Sequence, residues 1–179
     1  KTTGGLGMRI VNSDEAFEKK LKDAGHSLDI RAMDNIERDR IRDVAKRITK
    51  KRQANYIEGR LGLIIDGTGK DFDKIKNQST RLKQLGYDVH MIFVNTSLEV
   101  ALQRNEKRAR RVEDSIVKSS WNAVQQNIGK FSLFFKNGFI VVDNNRADED
   151  VMRVVSKRVR SLLKKPVQNG RAKAWIQNE

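Results

Sequence analysis

The sequence predicts a doubly wound α/β domain with a mostly parallel sheet. Three observations lead to this fold class: short apolar runs rich in β-branched residues, helical patterns between them, and a regular alternation of the two. The apolar runs are continuous rather than alternating with polar residues, as expected of strands that are buried on both faces. They predict strands at residues 8–12, 61–66, 88–95 and 139–144.

Apolar residues at helical spacing predict helices between and after these strands. Gly86, directly after the third helix, is a natural position for a left-handed helix end. Thr96, followed three residues later by Glu99, predicts a capping box for a helix that opens at Ser97, and Pro166 ends the last helix. The predicted helices cover residues 15–24, 34–58, 72–85, the segment from 97 onward, 113–128 and 148–164.

The composition excludes several kinds of site. No cysteine is present, so disulfides and thiolate metal sites are excluded, and His26 and His90 lie too far apart in sequence to suggest a histidine zinc site. No apolar run approaches the ~20 residues that span a bilayer, and no signal peptide is visible, which predicts a cytoplasmic protein without a membrane partner. The net charge of +14 favours an anionic partner such as nucleic acid, a nucleotide or a sugar phosphate, although a basic face that only aids solubility explains it too.

Carboxylates follow two predicted strands, at the end where open α/β sheets collect functional groups. Asp14 comes just after the first strand and Asp66 directly after the second. Asp14 is also a credible helix N-cap, because a helix follows at once. That alternative is weaker for Asp66, which is followed by Gly67-Thr68-Gly69, since glycines let the backbone approach a ligand closely. Both carboxylates are therefore candidate site residues.

An arginine-rich segment follows the third strand. Arg104, Arg108 and Arg111 are spaced four and three residues apart, which predicts one helical face, with Lys107 and Arg110 beside it. Like charges this close cost helix stability, about a few tenths of a kcal/mol per pair. Guanidinium groups bind phosphoryl oxygens through two hydrogen bonds at once, so a phosphate-binding face would justify that cost. A merely solvated basic face explains these residues equally well when they are taken alone.

The stretch from residue 61 to 121 resembles the small P-loop kinases of the zeta-toxin type, including relatives encoded by tailed phages. The resemblance rests on a strand ending in Asp-Gly-Thr, a helix, the sequence "GYDV" before an apolar strand, and a helix with repeated arginines. Upstream, "RIVNSDEAF" resembles the family's strand that delivers a catalytic aspartate, so that the likeness extends over roughly residues 8–146. It implies a sheet of the P-loop NTPase type and Mg-ATP-dependent phosphoryl transfer to a hydroxyl.

The resemblance also implies a role for each site residue. Asp14 would be the base that orients and deprotonates the substrate hydroxyl. Asp66, with Gly67 and Thr68, would hold the substrate or contact magnesium-bound water. Arginines would stabilise charge on the transferring phosphoryl group, and the loop after the last strand would contact the adenine. The arginines are Arg104, Arg108 and Arg111. The loop residues are Asn144, Asn145 and Arg146.

One motif of the resembled family does not occur in residues 1–179. No G-x-x-x-x-G-K-[ST] phosphate-binding loop is present, and in "GLIIDGTGKD" the pair Gly69-Lys70 is followed by Asp71. Because "KTTGG" at residues 1–5 resembles the end of the helix that follows a P-loop, we expect the P-loop and the first, central strand to precede residue 1. Phosphoryl transfer without that loop would be very slow.

The predicted organisation is a kinase-like α/β domain over residues 1–164, with a helical lid over 97–128, and a C-terminal tail over 165–179 that is disordered or docks on a partner. The predicted function is an ATP- and Mg²⁺-dependent kinase that acts on a nucleotide sugar, a nucleotide or a polynucleotide 5′ end. Two alternatives stay open. One is a catalytically inactive kinase fold that serves as a nucleic-acid-binding or assembly module. The other is a basic protein of unrelated α/β fold, in which Asp-Gly-Thr-Gly is only a tight turn.

Overall fold

The computed structural model describes residues 7–146 and 149–178. Each predicted strand is present in shortened form, and helices alternate with the strands along the chain. The strands are β1 (Arg9–Val11), β2 (Leu63–Ile65), β3 (Met91–Asn95) and β4 (Phe139–Asp143). The helices are α1 (Asp14–Asp23), α2 (Asn35–Glu58), α3 (Phe72–Gln84), α4 (Leu98–Lys107), α5 (Asp114–Phe135), α6 (Glu149–Leu163) and α7 (Gly170–Gln177), with a short 3₁₀ turn at Lys136–Gly138.

The strands pair in two parallel, two-stranded sheets. β1 pairs with β2, so that Val11 lies opposite Ile65. β3 pairs with β4 in a longer register, which starts with Met91 opposite Phe139. The prediction of an α/β fold with parallel strands is therefore confirmed, whereas a single doubly wound sheet stays a prediction.

Three helices begin at side-chain caps, in which a carboxylate or hydroxyl oxygen accepts a hydrogen bond from a backbone N–H three residues later. The predicted cap Thr96 is replaced by its neighbour Ser97. None of the described helices combines the length and the apolarity needed to cross a bilayer. The capping pairs are Asp34 with Glu37, Asp71 with Lys74, and Ser97 with Val100.

The described residues of Lys1–Thr68 and Gln103–Val117 form one compact unit. Its core lies between α1 and α2. The spacing of four residues puts Phe17 and Leu21 on one face of α1, and both side chains are fully buried. Ala45 of α2 is fully buried as well. Burial of the two larger side chains contributes about 1.5–3 kcal/mol each.

The described residues of Gly69–Leu102 and Lys118–Glu179 form a second compact unit. Its core is aromatic and centres on Phe131, which is fully buried. The Phe131 ring centroid lies 5.4 Å from that of Phe72 and 6.3 Å from that of Phe93, distances at which aromatic pairs attract. Six of the seven phenylalanines of the chain belong to this cluster: Phe72, Phe93, Phe131, Phe134, Phe135 and Phe139.

The C-terminal segment forms a helix that contacts its own chain. Nδ2 of Asn169, the N-cap of α7, donates to the Lys83 carbonyl at 2.7 Å, and Arg171 donates to the Gln84 carbonyl at 2.7 Å. These carbonyls belong to the last turn of α3, where a helix leaves acceptors without partners. The expectation of a disordered tail is therefore wrong for residues 170–177, whereas docking on a partner stays a prediction. The predicted domain limits stay predictions.

Candidate active site

Two strand ends bring the candidate carboxylates to one edge of a sheet. β1 and β2 are parallel, so their carboxyl ends lie side by side. The Asp66 backbone N–H donates to the Val11 carbonyl at 3.0 Å, which extends the pairing by one residue. Asp14 opens α1, three residues after the end of β1, and its side chain is 41% exposed. Both carboxylates are thus open to a ligand at the same edge.

Asn12, which sequence reasoning did not single out, connects the two strand ends. Its Nδ2 donates to Asp66 Oδ2 at 2.6 Å, and its Oδ1 accepts from the Asp14 backbone N–H at 2.7 Å. An asparagine amide offers a donor and an acceptor, so one side chain serves both. The signal in the sequence was its position between a buried strand and Asp14. Asn12 therefore fixes Asp66 relative to the start of α1.

Arg110 binds the candidate base directly. Its Nη2 donates to Asp14 Oδ2 at 2.7 Å, and its Nε donates to Glu18 Oε1 at 3.1 Å. The Arg110 side chain is only 19% exposed. Asp14 and Glu18 lie four residues apart on one face of α1, so one guanidinium bridges both. Charge-assisted hydrogen bonds of this kind are stronger than neutral ones. The sequence reasoning placed Arg110 only beside the predicted arginine face, although a carboxylate pair at this spacing suggests a bridging cation.

The second oxygen of Asp14 remains open to a ligand. Arg42 Nη1 forms an ion pair with Asp14 Oδ1 at 3.9 Å, which is beyond hydrogen-bond distance. In residues 7–146 and 149–178, Oδ1 accepts no hydrogen bond, since the Arg110 contact uses Oδ2. The Arg42 guanidinium also lies over the Phe17 ring, 4.7 Å from its centroid. Oδ1 can therefore accept a hydrogen bond from a bound hydroxyl while the carboxylate stays in place.

The structure does not put Arg104, Arg108 and Arg111 on one helical face. α4 ends before Arg108, and residues 108–113 are not helical. Arg111 Nη1 instead lies 3.7 Å from Glu106 Oε2, and Arg111 Nε donates to the Arg108 carbonyl at 3.1 Å. The prediction of one shared face is therefore wrong, and the role of each arginine stays a prediction.

A buried asparagine accounts for the end of α4. The Asn105 side chain donates to the Val112 carbonyl at 2.8 Å and accepts from the Val112 N–H at 3.2 Å. Hydrogen bonds between an asparagine side chain and nearby backbone compete with a continued helix. The loop that they close carries Arg110 to α1. This explains why Arg110, rather than one of the three predicted arginines, contacts Asp14.

The Asp66-Gly67-Thr68 segment lies exposed after β2. A Cβ atom on Gly67 would meet no atom within 4 Å, so crowding within the chain does not require glycine there. Mg²⁺ commonly takes one or two protein carboxylates and completes its shell with water and substrate phosphates. Asp66 fits that role. Neither here nor in the rest of the described chain is a cluster of three or more histidine or acidic side chains arranged to hold a metal ion.

The loop that continues into α3 does not suit the triphosphate of ATP. The Asp71 carboxylate caps α3, so a negative charge already lies at the helix N-terminus where a phosphate would bind. The carbonyls of Gly69 and Lys70 both accept from Asn127 Nδ2, at 3.2 and 3.0 Å. Gly69 has φ +74°, a conformation that favours glycine, which explains its place in the sequence. This loop therefore offers no cradle for a triphosphate.

The predicted adenine loop belongs to the second unit. The Asn144 N–H donates to the Asn95 carbonyl at 2.8 Å, and Asn145 Oδ1 accepts from the Ser97 N–H at 2.6 Å. Both asparagines therefore fasten the loop to the end of β3. Arg146 is exposed. Adenine binding by these three residues stays a prediction.

Comparison with known proteins gives one match. The family model for Zeta toxin matches residues 31–154. The matched range begins after Asp14 and contains Asp66, Arg104, Arg108, Arg110 and Arg111. No curated protein and no solved structure gives a significant match to this chain.

Proposed function

The chain belongs to the zeta-toxin family of kinase-like proteins, and on this premise we propose that it transfers a phosphoryl group to a substrate hydroxyl with Asp14 as the base. One observation supports this most: a carboxylate at a sheet edge, hydrogen-bonded on one oxygen by Arg110, whose other oxygen accepts no hydrogen bond within the described chain and lies 3.9 Å from Arg42. A general base needs such an arrangement, because it must lie within hydrogen-bond distance of the proton that it takes.

The residues around Asp14 have distinct proposed roles on the acceptor side of the reaction. Asp14 Oδ1 accepts the hydrogen bond of the substrate hydroxyl and takes its proton. Arg110 holds the carboxylate in one orientation through Oδ2, and Asn12 keeps Asp66 at the same edge. Holding reacting groups in a productive geometry lowers the entropic part of the barrier.

Mg-ATP, when bound, supplies the γ-phosphoryl group and neutralises charge on it. Asp66, together with Gly67 and Thr68, would hold magnesium-bound water or the substrate. Because the loop before α3 offers no cradle for the triphosphate, the proposed part of Asp14, Asn12 and Asp66 is confined to the acceptor hydroxyl and the metal-bound water. Arg104, Arg108 and Arg111 are the proposed source of positive charge for the transferred group.

The proposed substrate is a hydroxyl of a nucleotide sugar, a nucleotide or a polynucleotide 5′ end. All three present phosphates, which suits the net charge of +14. Titration calorimetry with Mg-ATP comes first, followed by phosphoryl-transfer assays against one member of each class.

The variant Asp14→Asn tests the base. It keeps the shape of the side chain and removes the carboxylate, so we expect turnover to fall by about 10²–10⁴-fold with little change in Mg-ATP binding. Asp23→Asn is the matched control on the same helix, because Asp23 is 48% exposed and pairs only with Lys20 in the described structure. Turnover that survives Asp14→Asn would show that another group is the base. An equal loss in Asp23→Asn would point to the helix rather than to the site.

A second candidate function is a catalytically silent binding module. The observation that favours it is the loop before α3, where an aspartate cap stands at the helix N-terminus in place of a phosphate site. In that case the chain shows no turnover with any acceptor, and Asp14→Asn leaves the affinity for its partner unchanged.

A further inference from the structure

Beyond its first two residues, Glu149 and Asp150, α6 and the segment after it carry a concentrated positive charge. Residues 151–178 contain eight lysines and arginines and no aspartate or glutamate. The whole chain has a net charge of +14, so this segment accounts for more than half of it. A field of one sign over a short segment attracts polyanions.

Four of these basic residues form a stripe along α6 and its last turn: Arg153, Lys157, Arg160 and Lys164. All four are exposed. Their spacings of four, three and four residues place them within an arc of about 60° on the helix. The half-buried Val155, Val159 and Leu162 lie on the opposite side, and α6 packs on β4. The basic stripe therefore points away from the core of its unit.

Three of the four cations of the basic stripe are not neutralised by a described carboxylate. Lys157, Arg160 and Lys164 form no ion pair with any carboxylate that the structure describes. Like charges three and four residues apart destabilise a helix. An anionic polymer laid along the stripe would turn that repulsion into attraction. Ser156 and Ser161 add hydroxyl donors beside the stripe, and the six side chains line a shallow depression of about 550 Å³.

We propose that the basic stripe of α6 binds the phosphate backbone of a nucleic acid. The stripe extends over 12 residues, or about 16 Å of helix, whereas phosphates along one strand of a duplex follow at about 3.4 Å of axial rise. A single phosphate or nucleotide would engage one or two of the four cations, while a polynucleotide engages all of them. A membrane surface fits less well, because interfacial helices bury an apolar face in lipid and the apolar side of α6 packs on β4.

This binding surface does not depend on phosphoryl transfer. All four stripe residues lie in the second unit, whereas Asp14 and Asp66 lie in the first. The inference therefore goes beyond the proposed kinase activity. DNA binding and Asp14-dependent turnover can be lost separately, so the failure of one is distinguishable from the failure of the other.

The test is fluorescence anisotropy of the full chain with short fluorescein-labelled DNA, duplex and single-stranded, over a range of salt concentrations. A stripe variant replaces all four cations by glutamine. A control variant removes the same charge from exposed positions of α2. The substitutions are Arg153→Gln, Lys157→Gln, Arg160→Gln and Lys164→Gln in the first, and Arg47→Gln, Lys50→Gln, Lys51→Gln and Arg52→Gln in the second.

We expect the stripe variant to bind DNA at least about tenfold more weakly, while the control stays close to the original chain. The slope of log K against log salt is expected to fall by roughly 0.9 for each lost duplex phosphate contact. A variant with four arginines in the stripe, made by Lys157→Arg and Lys164→Arg, keeps all four positive charges. We expect it to bind DNA as the original chain does.

Three results would overturn the proposal. One is equal weakening in the stripe and control variants, which would reduce the effect to net charge. Another is an original chain that does not bind DNA. The third is a stripe that binds phosphatidylserine vesicles and releases them only poorly to competing DNA.

Discussion

Different kinds of contact stabilise each of the two compact units. The unit that contains Asp14 and Asp66 has a small apolar core around Phe17 and Leu21, and amide and charged side chains fix its loops. The other unit is built on a cluster of six phenylalanines. Apolar burial is non-directional, whereas hydrogen bonds and ion pairs fix orientation. The comparison indicates that the candidate site depends on geometry that polar contacts impose, and that the aromatic unit depends on packing.

The largest expected effect comes from emptying the aromatic core. Phe131→Ala removes a fully buried ring that packs against Phe72, Phe93 and Phe135. We expect a loss of about 3–5 kcal/mol in the free energy of unfolding, since the ring leaves a cavity behind. Urea unfolding measures it, and hydrogen exchange in β3, β4 and α5 locates it. The control is Leu133→Ala on the same helix, because Leu133 is 79% exposed.

Two results would contradict this comparison. One is a small change in the free energy of unfolding for Phe131→Ala, and the other is faster hydrogen exchange in α1 and α2 instead of β3 and β4. Either would mean that the aromatic cluster is not the main source of stability in its own unit.

A smaller effect is expected from the polar loop of the first unit. Asn105→Ala leaves the partly buried N–H and carbonyl of Val112 without their partner, which costs about 1–3 kcal/mol. It also frees the loop that carries Arg110 to Asp14. We therefore expect activity to fall by more than stability alone explains. Asn55→Ala, at an exposed position of α2, is the control for replacing asparagine by alanine.

Urea unfolding and turnover of the same preparations separate the two effects of Asn105→Ala. Stability equal to that of the original chain would show that the loop closes without the asparagine. Loss of stability with full turnover would show that the loop has no part in positioning Arg110.

The strands were predictable from the sequence because each is a continuous apolar run, and the helices because their apolar residues recur at helical spacing. The start of the site was predictable for the same reason, since Asp14 and Asp66 directly follow two such runs. Local patterns failed where a contact between distant residues decides the conformation. The end of α4 is set by the Asn105 pair with Val112, and the last helix is held by carbonyls of α3, more than 80 residues earlier.

The choice among the arginines illustrates the same limit. A helical wheel predicts which of them share a face, but only if the helix continues. Here it ends, and the arginine that contacts Asp14 is the one that the loop presents. The role of Asn12 was equally hidden, because its two partners become neighbours only when β1 pairs with β2.

The smallest expected effect is a pH dependence of the aromatic unit. Burial is the main cause that lowers the pKa of His90 below its ordinary 6.5; Lys165 and Lys83 add to the lowering, and Asp88 opposes it. Because the folded pKa lies below the unfolded one, the unfolded chain binds the proton more readily. The stability that neutral His90 contributes is therefore fully present above about pH 6.5 and is lost as the pH falls through the folded pKa.

We expect the urea unfolding midpoint of His90→Gln to depend less on pH between about pH 5 and pH 7. The change in the free energy of unfolding is expected to be smaller than that of Phe131→Ala or Asn105→Ala. His26→Gln is the matched control in the first unit, where His26 Nε2 lies 3.0 Å from Glu37 Oε1 at an exposed site. If His26→Gln rather than His90→Gln removes the acid dependence, proton-linked stability belongs to the polar unit. The contrast between the two units would then extend to pH, with the aromatic unit insensitive to it.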